Sequence, residues 1–346
     1  GMAGSVNTPP NKDIRWEKTT TVNVGVDFAL FRHRLSGTIE YYNKYSVDLL
    51  AAINGSPTQG FGYTTLMTNN GKMVNRGVEI TLSGEIIRQK DFSWNASLLY
   101  AFNRNKVKHI SVQPSLWDSR ISMPTSYPMV GKPLYGIYAY KWAGLNENGD
   151  PQVYDAENNV TSGPARDYHA LVYCGTTVPI HNASLTNVLR YKGFEFSAML
   201  ILDAGHKLRS SNIPSINMSN GRITSTAKGI VDRWTQPGDV TDVPRLLFSN
   251  DTENFNTHRT ELYRYSDLFV YDASNIRLSN ISLAYRVPAH WCKKISLSGA
   301  RLQFNVENVA TFAFDSKANY DLGGKVKPNY VWAVSYTHLR AHETRG

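Results

Sequence analysis

Apolar and polar side chains alternate with period two along several stretches of the chain. In one, Val22, Val24, Val26, Phe28 and Leu30 are interleaved with Thr21, Asn23, Gly25, Asp27 and Ala29. In the next, Leu35, Ile39, Tyr41, Tyr45, Val47 and Leu49 are interleaved with Ser36, Thr38, Glu40, Lys44, Ser46 and Asp48. Successive residues of a strand point to opposite faces, so each stretch predicts a strand with one apolar and one polar face. Strands of about ten residues or more with this pattern are the unit of a transmembrane β-barrel, apolar side to lipid and polar side to an aqueous lumen.

The same period predicts strands over 18–30, 34–50, 74–87, 92–104, 182–191, 194–203, 275–287 and 298–308, with a ninth beginning near Asn329. In the seventh, Ile276 and Leu278 share one parity and Ile281, Leu283 and Tyr285 the other, which predicts a bulge near Ser279–Asn280. Short turns join these strands at Phe31–His33, Arg88–Asp91, Lys192–Gly193 and Pro288–Ser296. Long segments, 51–73, 105–181, 204–274 and 309–328, lie between the other pairs. Short turns on one side and long loops on the other is the outer-membrane arrangement, the short side being periplasmic. A soluble sandwich or propeller has no reason to keep that parity. Within the long segments, Arg222 to Trp234 is read as a short helix. Ala143 to Pro151 has hairpin-turn chemistry, with Asn-Gly and Asp-Pro pairs. Asn146, Asn148, Asp150 and Asp155 offer oxygen ligands for calcium, but the EF-hand spacing and its closing Glu are not met.

Composition changes this picture little. The 346 residues are 41% hydrophobic and 19% charged, with 20 tyrosines. No apolar run reaches the ~18 residues of a spanning helix. The mean hydropathy of −0.36 is what a barrel shows as well, because half of each strand is polar. The net charge of +9 is spread along the chain without a run of five Lys/Arg, so no nucleic-acid partner is expected. Cys174 and Cys292 are the two cysteines; with no CxxC and no Cys/His cluster, no metal site is expected. The topology places them at opposite ends of the barrel, so they are not expected to pair.

Short motifs along the chain resemble the C-terminal barrel of SusC/RagA-type TonB-linked outer-membrane transporters (TonB-dependent receptors). They include Trp16-Glu17-Lys18-Thr19-Thr20, Tyr41-Tyr42-Asn43-Lys44, Asn75-Arg76-Gly77-Val78-Glu79 and Asn103-Arg104-Asn105-Lys106-Val107. Gly136-Ile137-Tyr138-Ala139-Tyr140, Arg233-Trp234-Thr235, Ala273-Ser274-Asn275-Ile276-Arg277-Leu278 and Asn305-Val306-Glu307-Asn308 continue the series in order. The resemblance covers about residues 13–333. It implies an all-β fold: about nine antiparallel strands of a 22-stranded transmembrane barrel, with an unpaired edge at each end. Residues 1–333 are then the C-terminal part of the barrel. The stretch 334–346, from Val334 through Arg340 and Glu343, looks like one reading frame of a transposase sequencing adapter and is left out of the fold. Gly1-Met2-Ala3-Gly4 opens no signal peptide, and a fragment is expected. The resemblance further implies outer-membrane import of glycans or oligopeptides, with a SusD-like surface lipoprotein over the loops. The TonB complex would act through an N-terminal region that this chain does not contain. Outer-membrane lipid would surround the strands.

No catalytic constellation is present: no GxSxG, HExxH, Walker loop or GxGxxG. No enzyme activity and no cofactor are expected. Aromatics on strands, Trp16, Tyr41, Tyr42, Tyr45, Trp94, Tyr100 and Phe102, suit the girdles at the membrane interfaces. Aromatics in the loops are Trp117, Tyr127, Tyr135, Tyr138, Tyr140, Trp142 and Tyr154, with Tyr168 beside them. Two readings of these are open. They form a packed loop core, or they present a platform to sugar rings, peptide side chains or a partner; the seven are the candidate ligand or partner contacts. The competing whole-protein readings are a soluble or surface β-rich carbohydrate-binding protein and an enzyme held in the outer membrane.

Overall fold

The computed structural model describes residues 12–54, 65–111, 118–163, 167–218, 226–248, 257–323 and 329–338. Nine strands form one sheet: β1 (Lys18–Leu30), β2 (Leu35–Asn54), β3 (Thr65–Arg88), β4 (Phe92–Ile110), β5 (His181–Tyr191), β6 (Phe194–Ala204), β7 (Asn275–Arg286), β8 (Leu297–Ala313) and β9 (Asn329–His338). They follow one another as an antiparallel meander, each paired with the next. The sheet does not close, so it is a fragment of a barrel wall with β1 and β9 as its edges.

The register carries one face through the eight strands β1 to β8. Val26 pairs with Ile39, Ile39 with Ile80, Ile80 with Tyr100, and Tyr100 with Ala183. Ala183 continues to Leu202, then Ile276 and Phe312. The next row holds Phe28, Gly37, Leu82, Leu98, Leu185, Leu200, Leu278 and Ala310. Large apolar side chains on this face stand exposed, Val24 and Val26 at 61% and Phe312 at 59%. A protein that buried them against itself would not leave such a patch; it is the face a membrane barrel turns to hydrocarbon. On β4 this face runs from Phe92 to Phe102, about 33 Å at 3.3 Å per residue. Tilted by about 40°, that length rises about 25 Å, the height of a barrel's lipid band.

The expected break in β7 is present: the register shifts between Leu278 and Asn280 against both neighbours. Asn308 of β8, with φ 53°, absorbs the mismatch opposite. The short turns hold as expected, and Phe31, Arg32 and His33 all take positive φ in the first. The connection over Pro288–Ser296 contains a helical turn, Ala289–Lys294. Cys292 lies there, Cys174 lies in a long connection, and both are free.

Several strands outrun the period that predicts them. β2 and β3 continue into what reads as the loop 51–73, β4 reaches Ile110 and β8 reaches Ala313. Register shifts between Ser46 and Leu49 and between Lys72 and Met73 reset the alternation, and above the lipid nothing demands an apolar outer face. Of Arg222 to Trp234, the described part holds only a 3-10 turn, Lys228–Asp232. β9 pairs with β8 as far as His338, five residues beyond the expected boundary at 333.

Candidate functional site

The polar face of the sheet is built of side chains that satisfy one another across strands. Thr38 Oγ1 donates to Asp27 Oδ1 at 2.6 Å, and Asn105 Nδ2 to Asn75 Oδ1 at 2.6 Å. Asn182 Nδ2 and an Arg277 terminal nitrogen both donate to Asp203, at 2.8 and 3.3 Å. Near the short-turn rim, Arg190 and Arg301 share Glu195, at 2.7 and 3.0 Å. Such a polar, hydrogen-bonded surface is what the lumen wall of a barrel presents.

The apolar core lies outside the sheet, among the long connections. Gly136–Tyr140 pairs with Leu171–Thr176, and Tyr138, Tyr140, Val153, Ala170, Leu171 and Leu262 pack together. A second cluster, Ile216, Tyr263 and Phe269, meets the first through Trp142. The segments are laced by hydrogen bonds. A terminal nitrogen of Arg209 donates to Tyr138 O at 2.6 Å, Tyr140 N to Tyr265 O at 2.9 Å, and Trp142 N to Asp267 Oδ1 at 2.9 Å. The Trp142 indole reaches Asp242 Oδ1 at 3.0 Å. Asp321, from the connection after β8, accepts from Ser210 Oγ at 2.7 Å and Ser211 Oγ at 2.6 Å. Leu134 N donates to Asn105 Oδ1 at 2.7 Å, which fastens this assembly to the polar face of β4.

At its centre is a carboxylate between two guanidinium groups. Asn146–Asp150 forms the expected plain turn, with Asn146 Oδ1 accepting from the backbone of Asn148 and Asp150. Asp150 then accepts from Arg245 Nε at 3.0 Å, an Arg245 terminal nitrogen at 2.8 Å and Arg259 Nε at 2.6 Å. The Arg259 side chain is 2% exposed; burial pushes its pKa down, and Asp150 opposes that shift. Those contacts occupy Asp150 as an ion-pair partner. Gly149 turns the hairpin with φ +74°, and a Cβ there would lie 2.4 Å from the Trp234 ring, so only glycine fits. On the strand paired with Gly136–Tyr140, burial holds the Cys174 thiol up at about 11.

Of the seven candidate contact residues, Tyr127, Tyr138 and Tyr140 are buried in the loop core. Tyr135 is exposed, and Trp142 and Tyr154 are half-buried. Lys141 Nζ sits 4.9 Å from the Tyr154 ring centre. Trp117 lies outside the described residues. The hairpin turn and the segment after Trp234 enclose an open groove of about 690 Å³, lined by Asn146, Glu147, Asn148, Trp234, Asp239 and Val240. Sequence reasoning missed this groove and the Asp150–Arg245–Arg259 clasp, whose members are far apart in the chain and follow no period. The Asn-Gly-Asp-Pro turn was their one local signal. Among the described residues, no group of three or more His, Cys, Asp or Glu is placed to hold a metal ion.

Comparison with known proteins agrees with this architecture. The model for "TonB dependent receptor-like, beta-barrel" matches residues 1–309. TonB-dependent receptor P3 of Formosa agariphila is 26% identical over 94% of this chain and 33% of its own length. TonB-dependent receptor SusC of Bacteroides thetaiotaomicron is 25% identical over 86% of this chain and 29% of its own. Among solved structures, the RagAB peptide transporter superposes with a TM-score of 0.74 at 22% identity, covering 96% of this chain and 36% of that one. The chain spans about a third of the length of the curated relatives it matches.

Proposed function

This chain belongs to the TonB dependent receptor-like β-barrel family of the outer membrane, and on that premise we propose that it supplies wall and loop cap to a SusC/RagA-type importer. The cargo is a glycan or an oligopeptide. A SusD-like surface lipoprotein closes over the long connections, and the TonB complex drives uptake through a part of the receptor outside these residues. The observation that carries the reading is the pairing of one continuous apolar face and one continuous polar face with a packed, hydrogen-bonded loop assembly fastened at Asn105. The groove is lined by Trp234 together with Asn146, Glu147, Asn148 and Asp239, aromatic and polar side chains of the kinds that serve sugar hydroxyls and peptide amides alike. Tyr135, Trp142 and Tyr154 are the loop aromatics we assign to ligand or partner contact; Trp142 packs against the core that holds Tyr138 and Tyr140. The solved neighbour named a peptide transporter favours the peptide arm. The catalytic reading is not proposed, since the family is one of receptors and transporters.

Uptake of labelled oligopeptides and labelled oligosaccharides by cells carrying the complete receptor and its neighbouring lipoprotein tests this. One class is expected to accumulate, and to stop accumulating when the receptor gene is deleted or the TonB system is uncoupled. Unchanged uptake of both classes in the deletion, or hydrolysis of either by purified receptor, would overturn the proposal.

A further inference from the structure

We propose that a hollow on the lumen face of β5 to β8, at the short-turn rim, binds the carboxylate groups of an acidic cargo. The inference rests on the import reading and adds to it the charge of what is carried. Alternation places the parts. Phe194 and Phe196 stand on the outer face of β6, 51% and 38% exposed, so Glu195 between them is on the lumen face. Arg190 of β5 pairs with Glu195, Glu195 with Ala284 of β7, and Arg286 of β7 with Arg301 of β8. Arg286 lies two residues from Ala284 and shares its face. The turn Lys192–Gly193 is drawn against the end of β7: Arg286 N donates to Gly193 O at 2.8 Å, and a Cβ on Gly193 would lie 2.9 Å from Arg286 O. Arg190, Lys192, Glu195, Ala284, Arg286 and Arg301 line a hollow of about 190 Å³.

Charge and space turn this hollow into a site. Four cations line it against one carboxylate. Glu195 is shared by Arg190 at 2.7 Å and Arg301 at 3.0 Å, which turns both guanidinium groups toward an oxyanion. Among the described residues, no carboxylate lies within 4.0 Å of the side-chain nitrogens of Arg286 or Lys192. Arg286 stands directly opposite Arg301, and like charges so placed repel. An anion brought from outside relieves the surplus, and guanidinium forks fit the paired oxygens of a carboxylate. Space comes from Ala284, 3% exposed, which sits on β7 between Glu195 of β6 and Gln303 of β8. A methyl at that position leaves room among the long arginine arms for one oxyanion. The rim with the short turns is the periplasmic one, so the site lies where cargo leaves the lumen. A basic mouth there raises the local concentration of an acidic solute.

The complete receptor in mild detergent tests the site by arginine labelling with phenylglyoxal, read peptide by peptide by mass spectrometry at constant ionic strength. The probes are a uronic-acid oligosaccharide and an aspartate-rich oligopeptide, each beside its neutral counterpart. At least one acidic probe is expected to slow labelling of Arg286 and Arg301 about tenfold, and which one does so identifies the backbone that carries the charge. The neutral counterparts should leave labelling unchanged, and Arg32, in the first turn, should label alike throughout. Ala284→Leu keeps every arginine, fills the hollow and is expected to lose the protection. Equal labelling with and without both acidic probes overturns the site, as does protection that survives Ala284→Leu. An Arg286 already unreactive in the bare receptor overturns it too, since a carboxylate from elsewhere in the receptor then occupies the place. Should Ala284→Leu fail to assemble, Arg286→Gln is expected to weaken protection of Arg301 severalfold, and unchanged protection there is equally decisive. Labelling needs no energised uptake, so the two readings fail separately. Uptake without protection overturns this site and leaves import standing, whereas protection without uptake supports the site and removes import.

Discussion

Two glycines in strand interiors sit beneath aromatic rings. On the outer face Gly37 pairs with Phe28, and a Cβ on it would lie 2.8 Å from that ring and 2.5 Å from Thr81 O. On the polar face Gly77 pairs with Tyr42, and a Cβ would lie 2.4 Å from the ring and 2.5 Å from Phe102 O. Glycine normally weakens a strand, for want of a side chain to pack. Here the missing side chain is the seat for a ring from the neighbouring strand, and the cross-strand pair stabilises what the lone residue would not. Gly77→Ala is expected to cost about 1–3 kcal/mol, because a backbone carbonyl cannot step aside for the new methyl. Thermal unfolding of the folded receptor, followed by its heat-modifiable mobility, would read the loss. Adding Tyr42→Ala should recover part of it, since one of the two clashing groups is then gone; strictly additive losses would show that the ring does not sit as described.

Among the long connections, stability comes from a few contacts between distant segments. Asp150 and Arg259 are 109 residues apart, and Trp142 and Asp242 are 100 apart. Asp150→Ala would leave the nearly buried Arg259 guanidinium without its carboxylate, a loss of about 3–5 kcal/mol. The expected outcome is local: faster proteolysis within 136–163 and 226–264, with the nine-stranded wall still protected. Asp150→Asn, which keeps an acceptor for one of the donors, should fall between. Protection of the loops unchanged in Asp150→Ala would mean that the two apolar clusters hold them without the clasp. This is also where sequence reasoning stops. A strand announces itself because lipid and water impose a two-residue period on it, and even the break at Ser279 shows as a change of parity. A loop core has no such imposed solvent. Tyr138 and Tyr140 look the same in sequence as Tyr135, yet the first two are buried and the third is half exposed. Where strands rise clear of the membrane the constraint lapses too, so β2, β3 and β4 run on past the point where their alternation ends.

For the whole molecule the question is which medium touches the apolar face. Every residue in the row from Phe28 to Ala310 is registered with its neighbours, so across β1 to β8 the face is a single band and not eight separate stripes. The loop core touches the sheet chiefly at its rim, through Asn105 and Val107, and leaves that band uncovered. A charge placed in it meets hydrocarbon, at about 2–4 kcal/mol for an arginine near the midplane. Val26→Arg and Leu98→Arg are therefore expected to abolish outer-membrane assembly of the complete receptor, read as loss of the heat-modifiable, protease-resistant form. Asp27→Arg gives up one hydrogen bond from Thr38 but points into the lumen beside hydroxyl and carboxylate neighbours, where water solvates the new charge. It should assemble at close to the wild-type level. Because Val26 and Asp27 are adjacent in the chain, local propensity and synthesis are nearly matched between them. A difference between the two reports the medium on each face, and equal tolerance would mean that the apolar side of this sheet is covered by protein.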